Sequence, residues 1–249
     1  MKAITLVLFF IINVIVLESK VLPEYLSKPC TKLTKHYQDC WLKVLREWGP
    51  HLLKGIKEIN FPKLSPLHIP LFMVNRSLND YVTVNAVLKD FKASGYDTTS
   101  LKSFQLDPHN YIGSLHLHIS QLLASMEYDV SGNIFTLNIE NAGYFKGIAT
   151  DIELLFDFKL KPVDKLGIKY FEFDYFYGNS TIGNGVIKLM SKNNEFQPVA
   201  DLITNVFNEN PKRLIDAVQP IYAESVGYFY GGLAEEVLRR VPANEIVPE

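Results

Sequence analysis

PKRLIDAVQPIYAESVGYFYGGLAEEVLRRV, residues 211–241, is the stretch whose reading decides the fold. Leu214, Ile215, Val218, Ile221, Tyr222, Val226, Phe229, Tyr230, Leu233, Val237, Leu238 and Val241 recur at three- and four-residue steps, the period of one helix face. As a continuous helix the stretch would span roughly 46 Å, with Pro220 as a kink. Its apolar face is too broad for a small contact to cover, so other elements must wrap it. A shorter stripe, Val199, Leu202, Ile203, Val206 and Phe207, precedes it and ends at Asn208-Glu209-Asn210-Pro211.

The wrapping lies upstream. From about Leu71 to Met190 the period is two: Val82, Val84 and Ala86 alternate with Thr83 and Asn85, Leu115, Leu117 and Ile119 with His116 and His118, and Phe135, Leu137 and Ile139 with Thr136 and Asn138. Segments 152–160 and 168–177 are denser, the second carrying Phe and Tyr on both faces. Ser94-Gly95, Ser131-Gly132-Asn133, Ala142-Gly143 and Gly183-Asn184-Gly185 are expected as turns at meander spacing, which leaves no room for the crossovers of a parallel sheet. The expectation is an α+β fold in which a strongly curved antiparallel sheet wraps a long C-terminal α-helix. Its facing aromatic surfaces either fill the space or leave an elongated apolar hollow, and pattern alone does not choose.

At the other end, Lys2 and the apolar run Ala3 to Leu17 read as a secretory signal peptide over residues 1–19, too short for a membrane anchor. Residues 20–249 then form a single domain. Cys30 and Cys40, the two cysteines of the chain, normally pair in an oxidising compartment, the alternative being two free buried thiols. Asn75-Arg76-Ser77 and Asn179-Ser180-Thr181 are glycosylation sequons in polar, turn-like settings. Trp41, Leu42, Val44, Leu45, Trp48, Leu52, Leu53 and Ile56 make an amphipathic helix with Pro50 as a kink or break. With 25 Lys and Arg against 27 Asp and Glu, and a net charge of −2, the chain has no extended positive field for nucleic acid. After the leader no apolar run is long enough for stable membrane insertion.

The order and spacing of several segments resemble the insect takeout and juvenile hormone-binding proteins. They are Leu22-Pro23-Glu24-Tyr25-Leu26, the cysteine pair, Pro50 to Glu58, Phe61 to Leu67, Tyr128 with Val130 and Gly132, Gly143 with Phe145, Asn205 to Asn210, and Val241-Pro242. Ser65, Ser120, Asn141 and Pro211 depart from the family's usual residues, and the second disulfide of the hormone-binding branch has no cysteines here. The chain is therefore similar to the takeout-like branch. That resemblance implies an internal hydrophobic tunnel of the tubular lipid-binding kind, an extracellular fluid such as haemolymph, and family roles in feeding, circadian output or chemosensation. It also allows an unidentified receptor as a partner.

No catalytic or cofactor pattern accompanies this. Gly178-Asn179-Ser180-Thr181-Ile182 lacks the last glycine of a nucleophile elbow. Gly183-Asn184-Gly185 leads into no dinucleotide-binding helix. His116 and His118 share a strand face as two metal ligands could, but no cysteine or carboxylate stands at matching spacing. The expected function is a secreted carrier of a small elongated hydrophobic ligand, a juvenile hormone-like terpenoid, fatty acid or other lipid, with no cofactor, metal or catalysis. Tyr222, Val226, Phe229, Tyr230 and Leu233 are the candidate tunnel residues, and Trp41, Leu45 and Trp48 the candidate lid, its base fixed by the disulfide. Two alternatives stay open: a filled core in a signalling or structural protein acting through its surface, and a hydrolase of hydrophobic esters.

Overall fold

The computed structural model describes residues 21–79, 82–134 and 137–249. The expected leader and the pair Phe135 and Thr136 lie outside the described residues. Helix α1 (Tyr37–Lys54) retains Pro50 within it instead of breaking there. Strands β1 (Leu67–Asn79), β2 (Val82–Ser94), β3 (Thr99–Leu106), β4 (Ile112–Ile134), β5 (Leu137–Lys165) and β6 (Ile168–Ser191) follow, then α2 (Gln197–Glu209), α3 (Pro211–Leu238) and the short α4 (Ala243–Ile246). The six strands form one antiparallel sheet in the order β1-β2-β4-β5-β6, with β3 sharing an edge of β4.

The strands are much longer than the alternation implied, because three of the four expected turns are not turns. Ser131-Gly132-Asn133 lies within β4, Ala142-Gly143 within β5, and Gly183-Asn184-Gly185 within β6. Gly95, with φ 107°, separates β2 from β3 without reversing the chain, because both strands run antiparallel to β4 along the same edge. The β5–β6 hairpin turns instead at Leu166 and Gly167, with φ 56° and 83°, at a place where the apolar Leu166 gives no turn signal.

Gly183 has another role. On β4 the inward residues run Leu117, Ile119, then Leu122 and Ala124; on β5 they run Gly147, Ala149, then Ile152 and Leu154; on β6 they run Ser180, Ile182, then Gly185 and Ile187. Each of the three strands changes phase here, at Ser120, Asp151 and Gly183, and the pairings on either side place these residues in one line across the sheet. Asp151 takes a left-handed φ of 53°, and a Cβ on residue 183 would fall 2.7 Å from the Asp151 Cβ. This crease bends three strands together while keeping the same face inward, as bulged positions do.

Helix α3 packs along β6, and glycines set the distance. A Cβ on residue 178 of β6 would lie 2.7 Å from Gly227 Cα, and one on residue 231 would lie 2.9 Å from the Phe176 ring. Beyond this seam, Trp41, Val44, Leu106, Leu160, Phe171 and Leu238 close one end of the molecule around the Cys30–Cys40 disulfide. Leu26, Ile56, Ile59 and Val241 extend that end cluster. A central cluster built on Ile119, Ile152, Leu154 and Phe156 packs against Val226, Phe229, Tyr230 and Leu233 of α3.

The two sides of the glycine seam respond differently to a methyl group. Gly178→Ala drives its methyl into the Gly227 backbone, and overpacking of this kind costs about 1–3 kcal/mol. The reciprocal Gly227→Ala meets Gly178 at 3.5 Å, ordinary contact, and gains up to about 1 kcal/mol of helix propensity. Urea denaturation should find the first variant destabilised and the second neutral or stabilised; equal destabilisation would contradict the close approach.

Candidate functional site

The curved sheet and α3 do not fill the space between them. A cavity of about 960 Å³ extends from the central cluster toward the β1–β2 side, at the upper end of the range for small-molecule sites. Its inner wall includes Ile119, Leu154 and Ile152, at 1%, 2% and 5% exposure. Its outer rim carries Phe72, Met73, Asn75 and Tyr228, which solvent reaches. Strand residues enter by alternation and α3 residues by helical spacing, so Ile215, Tyr222, Val226, Phe229 and Tyr230 form a stripe down one wall.

Among the described residues no lining side chain carries a charge. The polar atoms are hydroxyls and one amide, on Asn75, Tyr96, Ser180, Tyr222, Ser225, Tyr228 and Tyr230. Burial pushes the Tyr96, Tyr222 and Tyr230 phenols up from the usual tyrosine range. Tyr230 moves furthest, the adjacent Tyr96 hydroxyl adding to the effect of burial. These groups stay neutral at physiological pH and can act only as hydrogen-bonding dipoles.

Of the residues that the sequence singled out, Tyr222, Val226, Phe229 and Tyr230 line the cavity, and Leu233 packs against the central cluster beside it. Trp41, Leu45 and Trp48 are placed elsewhere, in the end cluster around the disulfide, where the Trp48 indole N–H donates to the Ser27 carbonyl at 2.9 Å. Asn75 and Asn179 lie on strands β1 and β6, a correction to the turn-like settings read from their neighbours. Asn75 borders the rim, while the Asn179 side-chain Oδ1 accepts from Gln219 Nε2 at 2.9 Å. Sequence reading missed the sheet's contribution to the lining, Ser180 above all; inward alternation carried the signal, but its phase breaks at the crease.

His116 and His118 face away from the cavity and share one carboxylate across the strand pair. His116 Nε2 bonds Glu153 Oε2 at 2.6 Å, and His118 Nδ1 bonds Glu153 Oε1 at 3.2 Å. Among the described residues no group of three His, Cys, Asp or Glu side chains is placed to hold a metal ion. Nor is any described helix long and apolar enough to cross a membrane.

The profile of the family described as haemolymph juvenile hormone binding protein matches residues 5–248 of the chain. The crystal structure of Epiphyas postvittana Takeout 1 superposes with a TM-score of 0.66 at 16% identity, covering 90% of this chain and 100% of that one. Lipopolysaccharide binding protein superposes with a TM-score of 0.38 at 14% identity, over 79% of this chain and 37% of that one. No curated protein sequence matches the chain.

Two outcomes follow from where these groups sit. Tyrosine pKa values raised in the folded state favour folding in full below about pH 10, the unfolded value, and that contribution is lost as pH rises through the folded values. Melting temperature should therefore hold to about pH 10 and then fall, less steeply in Tyr230→Phe; identical alkaline profiles would contradict the burial of this phenol. The disulfide closes an eleven-residue ring in the end cluster. Cys30→Ala with Cys40→Ala should cost about 2.5–3 kcal/mol of stability while leaving the affinity for an apolar probe unchanged, because the bridge borders no part of the cavity.

Proposed function

Because the chain belongs to the haemolymph juvenile hormone binding protein family, we propose that it is a secreted carrier that holds a small, elongated hydrophobic molecule between α3 and the curved sheet, without covalent chemistry. The observation that carries this reading is the cavity itself, about 960 Å³ with a wall that is mainly apolar and, among the described residues, uncharged. Each buried methylene contributes about 0.8 kcal/mol, so a long hydrocarbon ligand needs few polar contacts to bind tightly. Selectivity then comes from the length and bore of the space.

Terpenoids such as juvenile hormone and other lipids fit that description. A filled core acting only through its surface would leave a space of this size without a purpose. Hydrolysis is poorly served by the described lining residues, which include Ser180 and Ser225 but no imidazole or carboxylate to activate a hydroxyl. The disulfide and the apolar leader both favour an extracellular address.

The neutral fluorophore N-phenyl-naphthylamine tests the reading on protein secreted from cultured cells. Saturable binding is expected, together with an organic extract that contains lipid. Ala149→Phe, which projects a ring into the cavity from β5, should weaken the probe at least tenfold while leaving the melting temperature level or raised. Absence of co-extracted lipid together with absence of probe uptake would contradict the carrier.

A further inference from the structure

The sheet that walls the cavity carries a second hollow on its other face. Ala93, Ala124, Gly147 and Ile187 stand opposite one another on β2, β4, β5 and β6 and line the cavity. Their sequence neighbours therefore belong to the outer face, in two rows. Lys92, Ser125, Lys146 and Lys188 form one row; Ser94, Leu123, Ile148 and Val186 form the other. Together with Pro66 the two rows border a groove of about 450 Å³, within the range of small-molecule sites. Ile148 borders both spaces.

Neither row is what the wet face of an antiparallel sheet requires. In the first, all three charged residues are cationic, and Lys146 pairs directly with Lys188, which sets like charges against each other across about 5 Å. The carboxylates two positions away on the same strands are engaged: Asp90 accepts from Lys92 at 2.7 Å, and Glu127 is held by Lys192. Among the described residues Lys146 and Lys188 have no ion-pair partner, and no acidic side chain lines the groove. In the second row Leu123, Ile148 and Val186 are 46%, 39% and 57% exposed, an aliphatic strip about 10 Å long across three strands. Single exposed aliphatic residues are ordinary, but three in register beside uncompensated cations share a cause.

An anion over Lys146 and Lys188 relieves their repulsion, and a hydrocarbon chain attached to it covers the strip. The strip lacks the Trp, Tyr and Arg anchors of a protein interface, and the groove has room for one small molecule. Beyond the carrier reading and independently of it, we propose that this groove is a second ligand site, for an anionic amphiphile. Its carboxylate or phosphate sits between the Lys146 and Lys188 ammonium groups, and its chain lies along Leu123, Ile148 and Val186. The two faces of one sheet then divide lipids by charge, neutral inside and ionised outside.

Calorimetric titration of decanoate into the secreted protein, its cavity saturated with N-phenyl-naphthylamine, tests the groove. Saturable binding without release of the probe is expected, weakened by added salt. Decanol, the same chain without the charge, should bind at least about tenfold more weakly, and acetate, the head without the chain, more weakly still. Lys146→Gln with Lys188→Gln should weaken decanoate about tenfold while leaving the probe's affinity unchanged and the melting temperature level or raised. Phosphatidylglycerol vesicles distinguish the source of the head group once decanoate binds. Cosedimentation that decanoate competes and the double variant loses assigns the groove to a bilayer lipid; absence of cosedimentation assigns it to a free amphiphile. Decanoate that displaces the probe mole for mole, that binds the double variant as it binds wild type, or that does not bind would overturn the groove and leave the carrier in place. If the probe itself fails to bind, lysine-dependent binding of decanoate to the unloaded protein upholds the groove while the carrier falls.

Discussion

The close approach of α3 to β6 is the constraint on which the rest depends. Two backbones meet at Gly178 and Gly227 with no room for a Cβ on the strand side, so one flank of the helix is fixed against a single strand. The remaining apolar circumference of α3 must then find cover elsewhere. It does so only because β4, β5 and β6 bend along the line of Ser120, Asp151 and Gly183. Helix and sheet touch closely at one seam and diverge away from it, and the divergence is the cavity. Had the seam been spaced by ordinary side chains, the helix could have settled at the centre of the curve and filled it.

Location and chemistry of the cavity follow from the same geometry. One end is sealed by the aromatic and aliphatic cluster around Trp41, Phe171 and the disulfide, which leaves the opening to the β1–β2 side. Its wall draws on inward positions of buried strands, where charged side chains have no counter-ions and are not placed. In such a space electrostatics acts by exclusion, turning away ionised ligands more strongly than it attracts neutral ones.

The fold was legible where the period was long and uninterrupted. The stripe from Leu214 to Val241 identified α3, which ends at Leu238, and the alternation of Leu115, Leu117 and Ile119 identified its covering. Strand length was not legible, because glycines that permit a crease or a close approach look in sequence like glycines that make turns; Gly143 and Gly183 were misread for this reason. On the site, the helical half was readable, since Tyr222, Val226, Phe229 and Tyr230 lie on the stripe. The sheet half was hidden by the phase change at the crease, so Ser180, inside a sequon and at the serine position of a failed nucleophile pattern, drew attention for other reasons. Trp41 and Trp48 show the limit of amphipathicity: it marks a face that must be buried, but not what buries it.

Native mass spectrometry of the secreted protein tests the central claim most directly. The account predicts a population heavier than the bare chain by one uncharged organic molecule, which gentle activation releases intact and which neutral lipid restores to the stripped protein. A bare-chain mass under the mildest conditions, unchanged after incubation with neutral lipids, would contradict it.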